Sequence, residues 1–356
     1  MSGERTERLL GSRGLARAAE ILRTGGTVAF PTETVYGLGA DALDGVAVAR
    51  IFAAKERPGW DPVIVHVCDR EMVARVASIP ASRATQVEQL IAAFWPGPLT
   101  LLLPKTPVVP ESVTAGRPLV GVRMPAHPLA LELIRETGLP LAAPSANRFG
   151  RTSPTTAAHV FEDLDGRIDA VLDGGATEVG VESTVIGPSE DGLGWVMYRP
   201  GGVSVEQMER VVGVGMVQVF RLVERSGAPE SLPSPGVGIR HYAPRARVEL
   251  VFEPSRGQGP MELSLVEAID RVPDQPEEVG VMLPEGWDAS SARLVYRWGP
   301  WGDGEALARR LFAGLRELDE RGAKVIVCPV PEMEGIGEAI RDRLRKAAMK
   351  AGAGES

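Results

Sequence analysis

The chain is poor in the residues that usually announce a reaction. It has two cysteines, four histidines and only 5% aromatic residues in 356 positions. Cys68 and Cys328 lie within or beside apolar strand-like runs, and neither has a C-x-x-C partner. That excludes a disulfide scaffold, leaves little room for a cysteine-based zinc site, and suits a reducing compartment. Only His66 and His241 have motif-like surroundings, which argues against a histidine-rich metal centre; His127 and His159 read as surface or capping residues. No Walker loop, H-E-x-x-H pair or Ser-His-Asp order is present. No segment approaches the roughly 18 continuous apolar residues of a membrane span. The opening M-S-G-E-R-T-E-R-L-L has no apolar stretch of signal length. The expectation is a cytoplasmic protein without a membrane partner. Positive charge is short as well: 39 Lys and Arg face 47 Asp and Glu, a net charge of −8. Strong direct nucleic-acid binding is therefore not expected, and any polyanion has to be met by a local cationic cluster.

Glycine (41) and proline (29) are plentiful, which implies many turns and a loop-rich active face. Hydrophobic residues at 44% supply an ordinary globular core, and the length allows two domains or one large one. In the first half, helical spacing over Leu9–Arg23 stops at Gly25-Gly26, and Ala47–Ala54 is helical again. Thr27–Phe30, Val63–Val67, Thr100–Leu103, Val120–Arg123, Leu141–Ala143 and Ala170–Leu172 read as short strands. Thr156–Leu164 reads as a helix. This mixture predicts an α/β or α+β sheet domain over 1–215. Residues 216–245 include a Pro- and Gly-rich stretch without periodicity, which taken alone is an interdomain linker. Strands at Val248–Phe252, Val279–Leu283 and Lys324–Val330 alternate with helices at Gly304–Arg321 and Gly337–Met349. That pattern predicts a smaller Rossmann-like α/β domain over 246–356, without the G-x-G-x-x-G of a dinucleotide site.

The chemistry gathers in polar segments that follow strands of the first domain, where α/β folds place ligands. P-T-E-T-V-Y-G-L-G, Pro31 to Gly39, offers the hydroxyls of Thr32, Thr34 and Tyr36; the plainer alternative is a helix start capped by Thr32, with Glu33 in its first turn. P-S-A-N-R-F-G-R-T-S-P-T-T, Pro144 to Thr156, is a thirteen-residue loop dense in donors suited to phosphate or carboxylate. Arg123 ends an apolar strand. Its cost there is met by an anion, or by a structural ion pair such as one with Glu182. Lys55 and Arg57 stand before a strand interrupted by His66. Lys55, Arg57, Arg123, Arg148 and Arg199 make five loop cations in an acidic chain, which points to a nucleotide or similar polyanion. The residues alone give an anion-binding α/β enzyme that uses a nucleotide, with no nucleophile in view.

P-T-E-T-V-Y-G-L-G, K-E-R-P-x-x-x-P-V-I-V-H-V, W-P-G-P-L-T, V-R-M-P, P-S-A-N and V-E-S-T-V occur in that order. Together they resemble the YrdC-like threonylcarbamoyl-AMP synthases, from about residue 15 to 210. The linker S-P-G-V-G-I-R-H-Y-A-P and the domain after it resemble the long, two-domain form. The resemblance implies a twisted mixed-sheet YrdC-like domain and a reaction in which L-threonine, bicarbonate and ATP yield threonylcarbamoyl-AMP and pyrophosphate. A separate transferase complex would then pass the group to tRNA adenosine beside the anticodon. It implies Thr34, His66, Arg123 and Ser183 as threonine-binding residues, and Lys55 and Arg57 as catalytic ones. ATP would meet Lys55, Arg57, Asp61, Ser145, Asn147, Ser153, Arg199, His241 and Tyr242, with Mg²⁺ bridging its phosphates and no protein metal ligand. Catalysis would be mainly positioning, which accounts for the missing nucleophile. Arg240, His241 and Tyr242 would fold over the nucleotide as a lid. Asp61 stands where many relatives have Asn, and Val237, Gly238 and Ile239 replace Met-Lys-Tyr. Two rivals remain at this stage: a non-catalytic RNA-binding YrdC-like module, and a carbamoyl-adenylate enzyme of hydrogenase maturation.

Overall fold

The computed structural model describes residues 5–220, 232, 234, 241–253, 260–272, 275–288, 292–332 and 334–349. The chain divides into two compact units. The first comprises Met1–Phe149, Pro154–Glu178 and Glu182–Val237, and the second Gly150–Ser153, Val179–Val181 and Gly238–Ser356. Two short stretches of the first half thus group with the second unit.

The first unit is built on one sheet of eleven short strands: β1 (Glu7–Leu9), β2 (Val28–Phe30), β3 (Gly37–Asp41), β4 (Ile64–His66), β5 (Leu99–Pro104), β6 (Leu119–Arg123), β7 (Leu141–Ala142), β8 (Ala170–Leu172), β9 (Thr184–Pro188), β10 (Trp195–Arg199) and β11 (Val217–Val219). Their order is β1-β8-β2-β3-β7-β4-β6-β5-β9-β10-β11. The sheet is mixed: β4 runs parallel to β6, while β5 is antiparallel to β6. Most of its strands are apolar throughout, as strands covered on both faces must be. Helices Arg70–Val76, Ala84–Phe94 and Pro128–Thr137 occupy stretches for which the sequence suggested no element.

The segment after β2 departs from the helix start considered for it. Thr32 Oγ1 accepts from the backbone N–H of Thr34 and Val35, closing a tight turn. The chain then doubles back as β3, antiparallel to β2, with Phe30 opposite Gly37 and Val28 opposite Gly39. Threonine hydroxyls compete for local backbone donors, and here the turn wins over the helix. Gly39 faces the Phe30 ring: a Cβ there would lie 2.6 Å from Phe30 Cε1 and 3.3 Å from Val28 O. Gly39→Ala should therefore cost about 1–3 kcal/mol by overpacking, read as a fall in melting temperature. An unchanged melting temperature would mean that this hairpin yields.

The second unit carries β12 (Arg247–Val251), β13 (Val279–Pro284), β14 (Leu294–Gly299) and β15 (Val325–Pro329), all parallel and ordered β12-β15-β13-β14. Alternation along β13 explains its two-sided cover. Val279, Val281 and Leu283 pack with Leu265 and Ile269 of helix Met261–Arg271. Gly280 lies beneath Leu318, and Met282 against Gly314, both on helix Gly304–Glu320. A parallel sheet covered on both faces is the Rossmann-like arrangement expected from the strand–helix alternation.

Candidate active site

Arg123 is the last residue of β6 and pairs in register with His66, the last residue of β4. Register partners on parallel strands point to the same face, so the guanidinium and the imidazole share one side of the sheet. Arg123 is only 3% exposed, and its counter-ion is Glu33, with Nη2 2.6 Å from Oε1. The ion pair considered with Glu182 is thus made with the P-T-E-T turn. Arg123 Nη1 donates to Thr34 Oγ1 at 3.0 Å, and Nε donates to Gly97 O at 3.2 Å. Thr32 gives its own hydroxyl proton to Val35 O at 2.6 Å, and the two threonine hydroxyl oxygens lie 2.8 Å apart. Thr34 accepts from Arg123 with a lone pair. A guanidinium has five N–H donors; two are engaged in hydrogen bonds, at Nε and Nη1, and Nη2 faces Glu33 as an ion pair, so each terminal nitrogen keeps at least one donor clear of a hydrogen bond. Two such donors are what a bidentate carboxylate takes.

His66 is buried, 6.2 Å from Phe30 edge to face, and its Nδ1 has no hydrogen-bond partner among the described residues. Burial and the neighbouring Arg123 push its imidazole down from 6.5 to about 3. It is therefore neutral at physiological pH. Between pH 6.5 and about 3 the unfolded chain binds a proton at this position that the folded chain refuses. Stability linked to neutral His66 is complete above pH 6.5 and is lost as pH falls. At pH 5 the loss is about 2 kcal/mol relative to pH 7. His66→Gln should flatten that part of the melting-temperature curve between pH 7 and pH 5; a curve with the wild-type slope would contradict the assignment.

Ser183 precedes β9 and is held from two sides. Thr100 Oγ1 lies 2.8 Å from Ser183 Oγ, while Arg199 donates through Nη2 to that oxygen and through Nε to Ser183 O, each at 3.0 Å. Gly201 permits this approach, because a Cβ there would sit 2.3 Å from Thr184 N and 2.4 Å from Glu182 O. Arg199 thus braces the V-E-S-T turn.

Lys55 closes helix Gly45–Lys55, which Asp44 caps at its start and Glu56 ends at φ 56°. The ammonium is 1% exposed and donates to Ser145 O at 2.5 Å and to Asn147 O. Burial first, then Arg57, holds its pKa well below the usual lysine range. The P-S-A-N loop is pinned from the other side as well, by Ala146 N–H to Tyr36 O and Leu38 N–H to Pro144 O. The Tyr36 hydroxyl donates to Gly175 O at 2.7 Å and so ties a turn. Arg57 donates to Asp61 O and Pro62 O and pairs with the Asp61 carboxylate at 2.9 Å. Asp61 is fully buried in this pair. Trp60 O accepts from Leu232 N–H, and Leu232 and Ser234 of the linker are buried in the first unit. Arg148 does not join the buried cations; it pairs with Glu56 at the surface, 2.5 Å away.

Ser153, His241 and Tyr242 belong to the second unit. Tyr242 is 1% exposed, its ring stacked on Phe312 at 5.8 Å with the Arg343 guanidinium 4.9 Å from its centroid. The ring is thus packed among side chains of the second unit. Arg240 and 235–239 lie outside the described residues. Glu33 and Thr100 were missed in the sequence: the former looked like a first-turn acid, the latter like one more strand residue.

The family described as Telomere recombination, Sua5/YciO/YrdC, matches residues 20–201, and the one described as Threonylcarbamoyl-AMP synthase, C-terminal domain, matches 203–349. The chain is 44% identical to the threonylcarbamoyl-AMP synthase of Pyrococcus abyssi over 335 residues, 93% of each chain. It is 42% identical to that of Bacillus subtilis over 94% of this chain and 92% of the relative. The crystal structure of P. abyssi Sua5 complexed with L-threonine superposes with a TM-score of 0.85 at 42% identity, covering 96% of this chain and 97% of that one. Fold and site define a two-domain α/β protein of the Sua5/YrdC type, with buried cations set on a mixed sheet. Within that class, the chain belongs to the threonylcarbamoyl-AMP synthase family.

Proposed function

We propose that the chain is an L-threonylcarbamoyladenylate synthase, joining L-threonine, bicarbonate and ATP into threonylcarbamoyl-AMP with release of pyrophosphate and water. The observation that carries this reading is the buried Arg123, which keeps one donor on each terminal nitrogen beside a neutral His66. The P. abyssi relative with L-threonine bound supports the same reading. The threonine carboxylate would take the two Arg123 donors, with Thr34, His66 and Ser183 around the rest of the amino acid. The amine must be neutral to attack the carbon of bicarbonate or its activated form, and a dry pocket favours that by lowering its pKa. The resulting carbamate oxygen then attacks the α-phosphorus of ATP and pyrophosphate leaves.

ATP would be met by Lys55 and by the polar groups of the Ser145–Asn147 loop that Lys55 holds, with Arg57 and Arg199 as further cations. Arg57 and Asp61 hold the turn that carries Trp60. Mg²⁺ would enter with ATP and neutralise phosphate charge, and no protein ligand is assigned to it. Threonylcarbamoyl-AMP is a reactive mixed anhydride, so a tRNA threonylcarbamoyl transferase complex in the same cytoplasmic compartment would take it up. The test is incubation of the purified chain with ATP, Mg²⁺ and bicarbonate. Pyrophosphate release that requires L-threonine supports the synthase. Release driven by carbamoyl phosphate would indicate a carbamoyl-adenylate enzyme, and no turnover would indicate a binding module.

A further inference from the structure

Glu33 is a buried carboxylate, 5% exposed, whose two oxygens face two different elements. Oε1 lies 2.6 Å from Arg123 Nη2, and Oε2 accepts from Ala126 N–H at 3.0 Å. Ala126 belongs to the loop between β6 and helix Pro128–Thr137. Glu33 therefore ties the turn after β2 to the chain that leaves β6, with Arg123 in between. From the geometry we infer that Glu33 is a positioning residue for substrate: it fixes the plane of the Arg123 guanidinium so that its two spare donors form the fork that takes the threonine carboxylate. This rests on the function proposed above and adds to it the residue that sets the angle of recognition.

The bond inventory decides the plane. Arg123 has one contact at each nitrogen: Gly97 O at Nε, Thr34 Oγ1 at Nη1 and Glu33 at Nη2. Two hydrogen bonds and one close ion pair, at three corners, hold a planar group in position and rotation. Removing the one at Nη2 leaves the group free to rock about the Nε–Nη1 side. A rocked fork loses the parallel alignment on which bidentate carboxylate binding depends. The opposite effect also has to be weighed. Glu33 is an anion beside the substrate's own carboxylate site, so deleting it frees positive charge and would tighten binding if charge outweighed orientation. Orientation wins here because glutamine has only one acceptor oxygen. Both neighbours of Glu33 are N–H donors, so the amide NH₂ of a Glu33→Gln variant must confront either Arg123 or Ala126. The substitution thus breaks one of the two ties and strains the other.

The test measures L-threonine and ATP binding separately by titration calorimetry, with no turnover required. For Glu33→Gln the expected result is threonine affinity at least about tenfold weaker, with ATP affinity within about twofold of wild type. Should Glu33→Gln not fold, Glu33→Asp carries the same test, since it keeps both acceptors on a shorter arm; its expected loss for threonine is several-fold. Threonine binding that is unchanged or tighter overturns the inference, because Glu33 would then be a bystander or a competing anion. Equal weakening for threonine and ATP also overturns it, because Glu33 would then serve only the fold. Failure of the wild-type chain to bind threonine at all would instead remove the functional reading beneath it.

Discussion

Arg123→Ala will weaken threonine binding by roughly 30-fold to several-thousand-fold and leave ATP affinity within about threefold. Truncating one partner of a buried charge-assisted contact costs about 2–5 kcal/mol, and each tenfold in affinity is about 1.4 kcal/mol. The lower bound applies if water enters the space left by the side chain. The same truncation strands Glu33, a 5% exposed carboxylate, without its counter-ion, at a cost of about 3–5 kcal/mol to the fold. Arg123→Lys separates the two consequences. It keeps a cation for Glu33 but replaces the fork with a point charge, so the protein should fold while threonine affinity drops by about tenfold. Equal losses for threonine and ATP in Arg123→Lys would mean that this arginine serves the other ligand or only the architecture.

Lys55→Met will lower kcat/KM for ATP by about 100- to 1,000-fold, the range seen when one preorganised donor is removed from a developing charge. Methionine preserves most of the volume, so the cavity contribution is small. The loop contribution is not, because Ser145 O and Asn147 O both lose their donor. Each buried carbonyl left without a partner costs about 1–3 kcal/mol. The expected signature is a loss of ATP binding and turnover together, with threonine affinity in the absence of ATP nearly unchanged. A variant that melts earlier yet turns over ATP at the wild-type rate would show that Lys55 anchors the Ser145–Asn147 loop and nothing more.

These two residues also show what the sequence revealed and what it hid. A histidine interrupting one apolar run and an arginine ending another broke the strand pattern visibly, and β4 and β6 put them side by side. The partner that completes Arg123 was not visible, because Glu33 sits 90 positions away in a turn whose threonine and acid imitate a helix start. Only the β2–β3 hairpin brings it back across the sheet. Lys55 was legible as a cation, but its two carbonyl acceptors come from a loop about 90 residues later. A strand such as β3, G-L-G-A-D, carries two glycines and little β-propensity, and it forms because β2 and β7 flank it. In the second unit the parallel sheet was readable from alternation alone. The packing of Tyr242 was not, since an aromatic next to a Pro- and Gly-rich linker reads as mobile until Phe312 and Arg343 are seen on its ring.

Recognition of threonine by Arg123 is tested most directly by a crystal structure of the protein with L-threonine bound. The account predicts the amino-acid carboxylate within hydrogen-bonding distance of both Arg123 terminal nitrogens, with Glu33 still at Nη2 and His66 within reach of the bound molecule. Threonine held elsewhere, with the Arg123 donors turned away from it, would contradict the account.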